Sequence, residues 1–174
     1  MSAVISPCGR YRYRLERPDV FGDFSTAVIM VNPSTADAVE NDATIRKLLG
    51  FRNTWGWGHL IVGNLFAYRS KDVRELAAAD DPVGPDNDYH LRAIIGDAQQ
   101  VVVAWGASAK LPPSLRDRWK AITNIAQPLG KPLLSIGDPA QDGHPCHPLM
   151  LPYTRKLQRW QSPSPVSRND GEGI

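Results

Sequence analysis

Four short, nearly uninterrupted apolar runs, at residues 27–31, 60–62, 101–104 and 133–136, constrain this chain more than any other feature. A strand with one wet face alternates apolar and polar residues, whereas a run apolar at every position is covered on both faces. Between the runs lie segments with helical spacing. Residues 42–55 place Ile45, Leu48, Leu49 and Arg52 at that spacing behind a capping Asn41 or Asp42. Residues 72–79 suit a short helix, Asp86 or Asn87 can cap one carrying Tyr89, Leu91, Ile94 and Ile95, and residues 113–129 suit another that Gly130 stops. Strands alternating with helices predict a three-layer α/β/α domain around a central, mostly parallel four-stranded sheet.

The ends of the chain carry weaker signals. Tyr11, Tyr13 and Leu15 alternate with Arg12, Arg14 and Glu16, which predicts an edge strand or hairpin arm with one wet face. Residues 153–160 suit a last helix, and residues 161–174, rich in Ser, Pro and Gly, suit a disordered tail. Residues 1–160 are thus expected to form one domain, which 174 residues are enough to supply with a core.

Composition narrows the function classes. A net charge of +2 neither demands nor excludes a polyanionic partner, so only local clusters of Lys and Arg bear on nucleic acid. Two cysteines, Cys8 and Cys146, are too few for a disulfide framework or a four-cysteine cluster within one chain. They point to free thiols in a reducing compartment. No leader-like run opens the chain and no stretch has the length of a membrane helix, so the expectation is a cytoplasmic monomer without a membrane partner.

Open α/β sheets bind ligands beyond the carboxyl ends of their strands, and polar signatures sit at those ends here. Asn32-Pro33-Ser34-Thr35-Ala36-Asp37 follows the first run. Asn32 can position a water, Ser34 and Thr35 can donate to phosphate, and the same residues equally suit an Asx-Pro turn. Asp42 adds a carboxylate or a plain cap. Asn64 follows the second run with Phe66, Tyr68, Arg69 and Lys71 behind it. An amide can read a base edge, an aromatic can stack on the base, and the cations can meet phosphate; Phe66 can equally sit in the core. Trp105-Gly106 with Ser108 follows the third run and fits a sharp turn with a packing Trp. His144-Pro145-Cys146-His147-Pro148 follows the fourth. Two prolines stiffen a loop that can hold an imidazole against an oxygen gaining negative charge. The adjacent spacing of His144, Cys146 and His147 is poor for zinc, and no signature marks Cys146 as a nucleophile.

Asn32-Pro33-Ser34-Thr35-Ala36-Asp37, Asn64-Leu65-Phe66-Ala67-Tyr68-Arg69, Val103-Ala104-Trp105-Gly106 and Gly143-His144-Pro145-Cys146-His147-Pro148-Leu149 together resemble a bacterial and phage family of unknown function, over roughly residues 11–160. More distantly, the landmarks are similar in kind and order to the uracil-DNA glycosylase superfamily. Asn32-Pro33 matches that superfamily's water-positioning motif, with Ser34 where Gly is usual. Asn64 matches its base-reading Asn, Trp105-Gly106 its Trp-Gly, and His144-Pro145 its last motif, with one residue inserted before Pro148. The first motif lacks the water-activating Asp of the most efficient branch.

That resemblance implies a hydrolase for the base–sugar bond of a modified or damaged base in DNA or a nucleotide, needing no cofactor and no metal. It implies Asn32 and His144 as catalytic residues, with Asn64, Phe66, Tyr68 and His147 around the base. Ser34, Thr35, Arg69 and Ser108 would hold phosphates, and Leu149 would be the wedge replacing a flipped base. Two other readings remain open. One is a non-catalytic nucleic-acid or nucleotide-binding domain. The other is a metal-dependent hydrolase using His144, His147 and Asp37 or Asp42. A concave basic face around Arg69, Lys71, Lys110, Arg116 and Arg118 would favour DNA.

Overall fold

The fold is taken from a computed structural model, which describes residues 1–19, 22 and 24–163. Its centre is four parallel strands: β3 (Ser25–Met30), β4 (His59–Asn64), β5 (Gln100–Val103) and β6 (Leu133–Ile136). They are the four apolar runs, and their middle residues are wholly shielded from solvent (Val28, Ile29, Val102). β3 lies between β4 and β5, with Val28 opposite both Val62 and Val102.

The sheet is wider than four strands. β1 (Ser2–Ile5) and β2 (Arg12–Arg17) form a hairpin whose second arm pairs antiparallel with β4. β7 (Leu157–Arg159) pairs antiparallel with β6. The result is a mixed seven-stranded sheet in the order β1-β2-β4-β3-β5-β6-β7. The expected helix at residues 153–160 is therefore a turn followed by β7. Its residues Leu157 and Arg159 sit opposite Ile136 and Leu134 and complete an edge that β6 would otherwise leave open. β2 is the expected hairpin arm and not an edge, since it has a neighbour on each side. Its wet face is incomplete: Arg14 and Glu16 are half-buried, while Arg12 and Arg17 are as buried as Tyr13 and Leu15.

Apolar clusters cover both faces of the sheet. On one, α1 (Ala43–Trp55) seats Ile45, Leu48 and Phe51 against Val28, Met30, Leu60, Val62 and Val102. On the other, α2 (Asn87–Asp97) and α3 (Trp119–Ala126) seat Leu91, Ile94, Ile122 and Ile125 against Ala27, Ile29, Ile61, Val101 and Val103. Asp42 caps α1 by accepting from the Ile45 amide at 2.8 Å, and Gly56 at φ +67° ends it. Two expected helices take tighter form. Residues 72–79 hold a 3₁₀ helix, Val73–Ala78, capped by Asp72, and residues 113–118 form another that leads into α3.

Asn87 stands at the start of α2 but does not cap it. It is fully buried, and its Nδ2 donates to the backbone oxygens of Asn64 (3.1 Å) and Leu65 (3.0 Å). The helix is thereby tied to the end of β4. Cys8 and Cys146 are both free thiols. Among the described residues no helix is long and apolar enough to cross a membrane. The expected tail at 161–174 falls mostly outside the described residues.

Candidate functional site

A cleft of about 360 Å³ opens at the carboxyl ends of the parallel strands. Asn32 and Ser34 reach it from the turn after β3, Asn64 from the last position of β4, and Trp105 and Gly106 from the turn after β5. His147 and Leu149 reach it from the loop after β6, and Asp42 from the N-cap of α1. The chain leaves β3 through α1 on one face and enters β5 from α2 on the other, so the cleft lies where the winding reverses. Gly106, at φ +87°, makes the turn beneath His147. A Cβ there would stand 3.3 Å from the His147 Cβ.

The two asparagines have opposite polarity, and their partners fix it. Asn32 Nδ2 donates to the carbonyl oxygens of Ser70 (2.8 Å) and Pro33 (3.2 Å), which can only accept, so its Oδ1 is left as an acceptor. Asn64 Oδ1 accepts from Arg12 Nη2 at 3.3 Å, and a guanidinium can only donate, so Nδ2 is the free donor. Arg12 is itself 3% exposed, and its Nη1 donates to the Ala36 carbonyl at 2.5 Å. Burial lowers the Arg12 pKa to about 10; Arg69 and Arg17 add to the shift and Asp42 opposes it.

His147 Nδ1 accepts from the Leu149 amide at 3.3 Å, which leaves the hydrogen of the neutral ring on Nε2. Burial holds the His147 pKa below its ordinary value, with Lys110 adding to the shift and Asp42 opposing it. The cleft thus combines two acceptors, Asn32 Oδ1 and the Asp42 carboxylate, with two donors, Asn64 Nδ2 and His147 Nε2–H. Trp105 supplies an aromatic wall, and Lys71 and Lys110 are exposed cations on its lining.

An open groove of about 450 Å³ adjoins the cleft and shares Ser34, Ser70 and Lys71 with it. Thr35, Tyr68 and Arg69 line this groove, together with Gly9 and Arg10 from the β1–β2 turn.

Three expected site residues lie elsewhere. Phe66 is fully buried in the core and lines neither space. His144, 6% exposed, accepts the Trp105 indole N–H on Nδ1 at 3.3 Å and meets Trp119 edge-on. It does not line the cleft. Ser108 is held by Asp142, whose Oδ2 accepts from its amide (2.8 Å) and its hydroxyl (3.2 Å), while Oδ1 accepts from the His144 amide (3.1 Å). Asp142 therefore staples the two loops behind the cleft.

Asp37 closes its own turn by accepting from the Val39 and Glu40 amides, which holds its carboxyl below the usual range. Among the described residues His144, His147, Asp37 and Asp42 do not assemble into a metal-ligating group. The expected basic face divides. Arg69, Lys71 and Lys110 border the cleft and groove, whereas Arg116 donates to the Leu111 carbonyl and Arg118 to that of Leu65. Cys146 donates to the Asp138 carbonyl at 3.5 Å.

Sequence reasoning assigned no site role to Arg12 or Trp105. The β2 alternation put Arg12 on a solvated face, and Trp105 read as packing. The placement of Asp42 after an Asn-Pro turn was the only available hint that a carboxylate joins Asn32.

Fold and cleft together define a mixed α/β protein with a cleft at the carboxyl ends of its parallel strands, where polar side chains stand on a mostly apolar wall. The chain belongs to the family described as a protein of unknown function (DUF1643), which matches residues 12–149. No curated protein and no solved structure matches it.

Proposed function

We propose that the cleft hydrolyses the N-glycosidic bond of a base in DNA or a nucleotide, within a three-layer frame of the uracil-DNA glycosylase type. The observation that carries this reading is the pairing of two acceptors with two donors in one cleft of about 360 Å³, at the small end of ligand pockets. The base sits against Trp105. Asn64 Nδ2 and His147 Nε2–H donate to oxygens or nitrogens of the base that gain negative charge as the bond breaks. The C1′–N bond pair leaves with the base, and the sugar acquires oxocarbenium character. A water held by Asn32 Oδ1 attacks C1′ and passes its proton to Asp42. Leu149, 39% exposed at the rim, stands where a side chain could replace a flipped base.

Base release would be assayed on single- and double-stranded oligonucleotides carrying uracil, hypoxanthine, hydroxymethyluracil or mismatched thymine, and on the free nucleotides. Wild type should form abasic sites on at least one substrate. Asp42→Asn should lower the rate by about 100-fold or more, the scale of a lost general base. Asn is as good a helix cap as Asp, so α1 should be undisturbed. A second reading, a non-catalytic nucleotide-binding domain, draws on the commitment of Asp42 to capping α1. Binding without release from any substrate would establish it instead.

A further inference from the structure

We infer that the groove beside the cleft is a phosphate site, built by the β1–β2 turn against the turn after β4. This rests on the nucleobase reading of the cleft only for what carries the phosphate. The groove brings together Arg10, Arg69 and Lys71 with the hydroxyls of Ser34 and Thr35. Its one carboxylate, Glu75, already accepts from the Ser70 hydroxyl at 2.5 Å. Arg69 Nη1 donates to the Gly9 carbonyl at 3.3 Å, while its buried Nε has no partner among the described residues. That Nε is shielded from solvent, so a phosphate in the groove would be met first by the terminal nitrogens of the guanidinium and by Nε only after the side chain turns outward. Arg12, on the cleft side, responds to Asp42 and Asp37 as well as to Arg69 and Arg17, so the charge behind the groove is mixed and the groove's own cations carry the attraction. Ser34 and Lys71 line both spaces, which puts a phosphate in the groove within reach of a nucleotide whose base is in the cleft.

The test uses fluorescence anisotropy with a short labelled deoxythymidylate strand and a matching strand of abasic tetrahydrofuran units, across a salt titration. Calorimetry would compare deoxyuridine monophosphate with deoxyuridine. Wild type should bind the abasic strand with salt-dependent affinity, or bind the monophosphate about ten-fold more tightly than the nucleoside. The first outcome assigns the site to a phosphodiester strand and the second to a terminal phosphate. Arg10→Ala and Arg69→Gln should each weaken the favoured ligand roughly ten-fold and, for a strand, reduce the salt slope by about one; Arg116→Ala should change neither. Arg10 is exposed, so its substitution leaves the fold intact. Affinity unmoved by Arg10→Ala and Arg69→Gln, or no binding of any of these phosphates, overturns the site. Abasic and base-bearing strands binding equally well, both sensitive to Arg10→Ala, would leave the phosphate site standing and remove the base from the cleft.

Discussion

Asn87→Ala isolates the device that holds the Asn64 end of β4. The native side chain is fully buried and donates to two carbonyls. Leu65 O keeps a second donor, Arg118 Nε at 2.9 Å, so its loss is that of one ordinary bond, about 1 kcal/mol. Asn64 O loses its side-chain donor in a dry site, at about 1–3 kcal/mol. Against this stands the native Asn87 Oδ1, buried and without a partner among the described residues, whose removal is favourable. The losses sum to about 2–4 kcal/mol, and relief of Oδ1 by about 1 kcal/mol leaves a destabilisation of about 1–3 kcal/mol, or about 2–12 °C in Tm for a chain of this length. Urea unfolding followed by tryptophan fluorescence measures it. Asn87→Asp adds a control whose penalty depends on pH. A carboxylate facing two carbonyls has its folded pKa raised, so its penalty is full above that value, shrinks as pH falls through it and is gone below the ordinary Asp value of about 4. An Asn87→Ala variant within about 0.5 kcal/mol of wild type would refute the strap.

Other consequences can be measured on the same protein. His90, His144 and His147 all have pKa values lowered by burial, so the unfolded chain binds protons more readily than the folded one. Their contribution is present above the unfolded value of about 6.5 and is lost as pH falls below it; the urea midpoint should drop between pH 7.5 and 5, and a rise would contradict this. Gly106→Ala puts a side chain at φ +87° and 3.3 Å from the His147 Cβ. It should cost about 1–2 kcal/mol in unfolding experiments and depress any cleft activity, and unchanged stability would show that the turn relaxes freely. Asp142→Ala should cost about 1 kcal/mol and raise proteolytic cleavage near residues 106–108 and 142–144, because its carboxylate joins those loops; unchanged cleavage would show that other contacts hold them.

The parallel centre of the sheet was legible because strands shielded on both faces must be apolar at every position. β1 and β7 were not, because half-exposed residues such as Ala3 and Gln158 leave no such run. The alternation around Tyr13 and Leu15 located β2 but misjudged Arg12, since a strand with neighbours on both sides can bury its polar residues when they find carbonyls and amides. The strand-end logic brought Asn32, Ser34, Asn64, His147 and Leu149 to one cleft. It could not choose between two imidazoles in one loop. That choice depends on Trp105 and Asp142, which draw His144 inward from distant points in the chain. Nor could it separate Phe66 from Trp105, since each is an aromatic residue just past a strand and only packing decides which lines the cleft.

The most direct test of the proposed chemistry compares single-turnover base release by wild type, His147→Ala and His144→Gln, each checked for native unfolding behaviour. On this account His147→Ala loses at least about 100-fold in rate, the scale of a lost transition-state donor, while His144→Gln keeps most of it. Full activity in His147→Ala, with loss confined to His144→Gln, would contradict the account and put the reacting atoms on the other side of the loop.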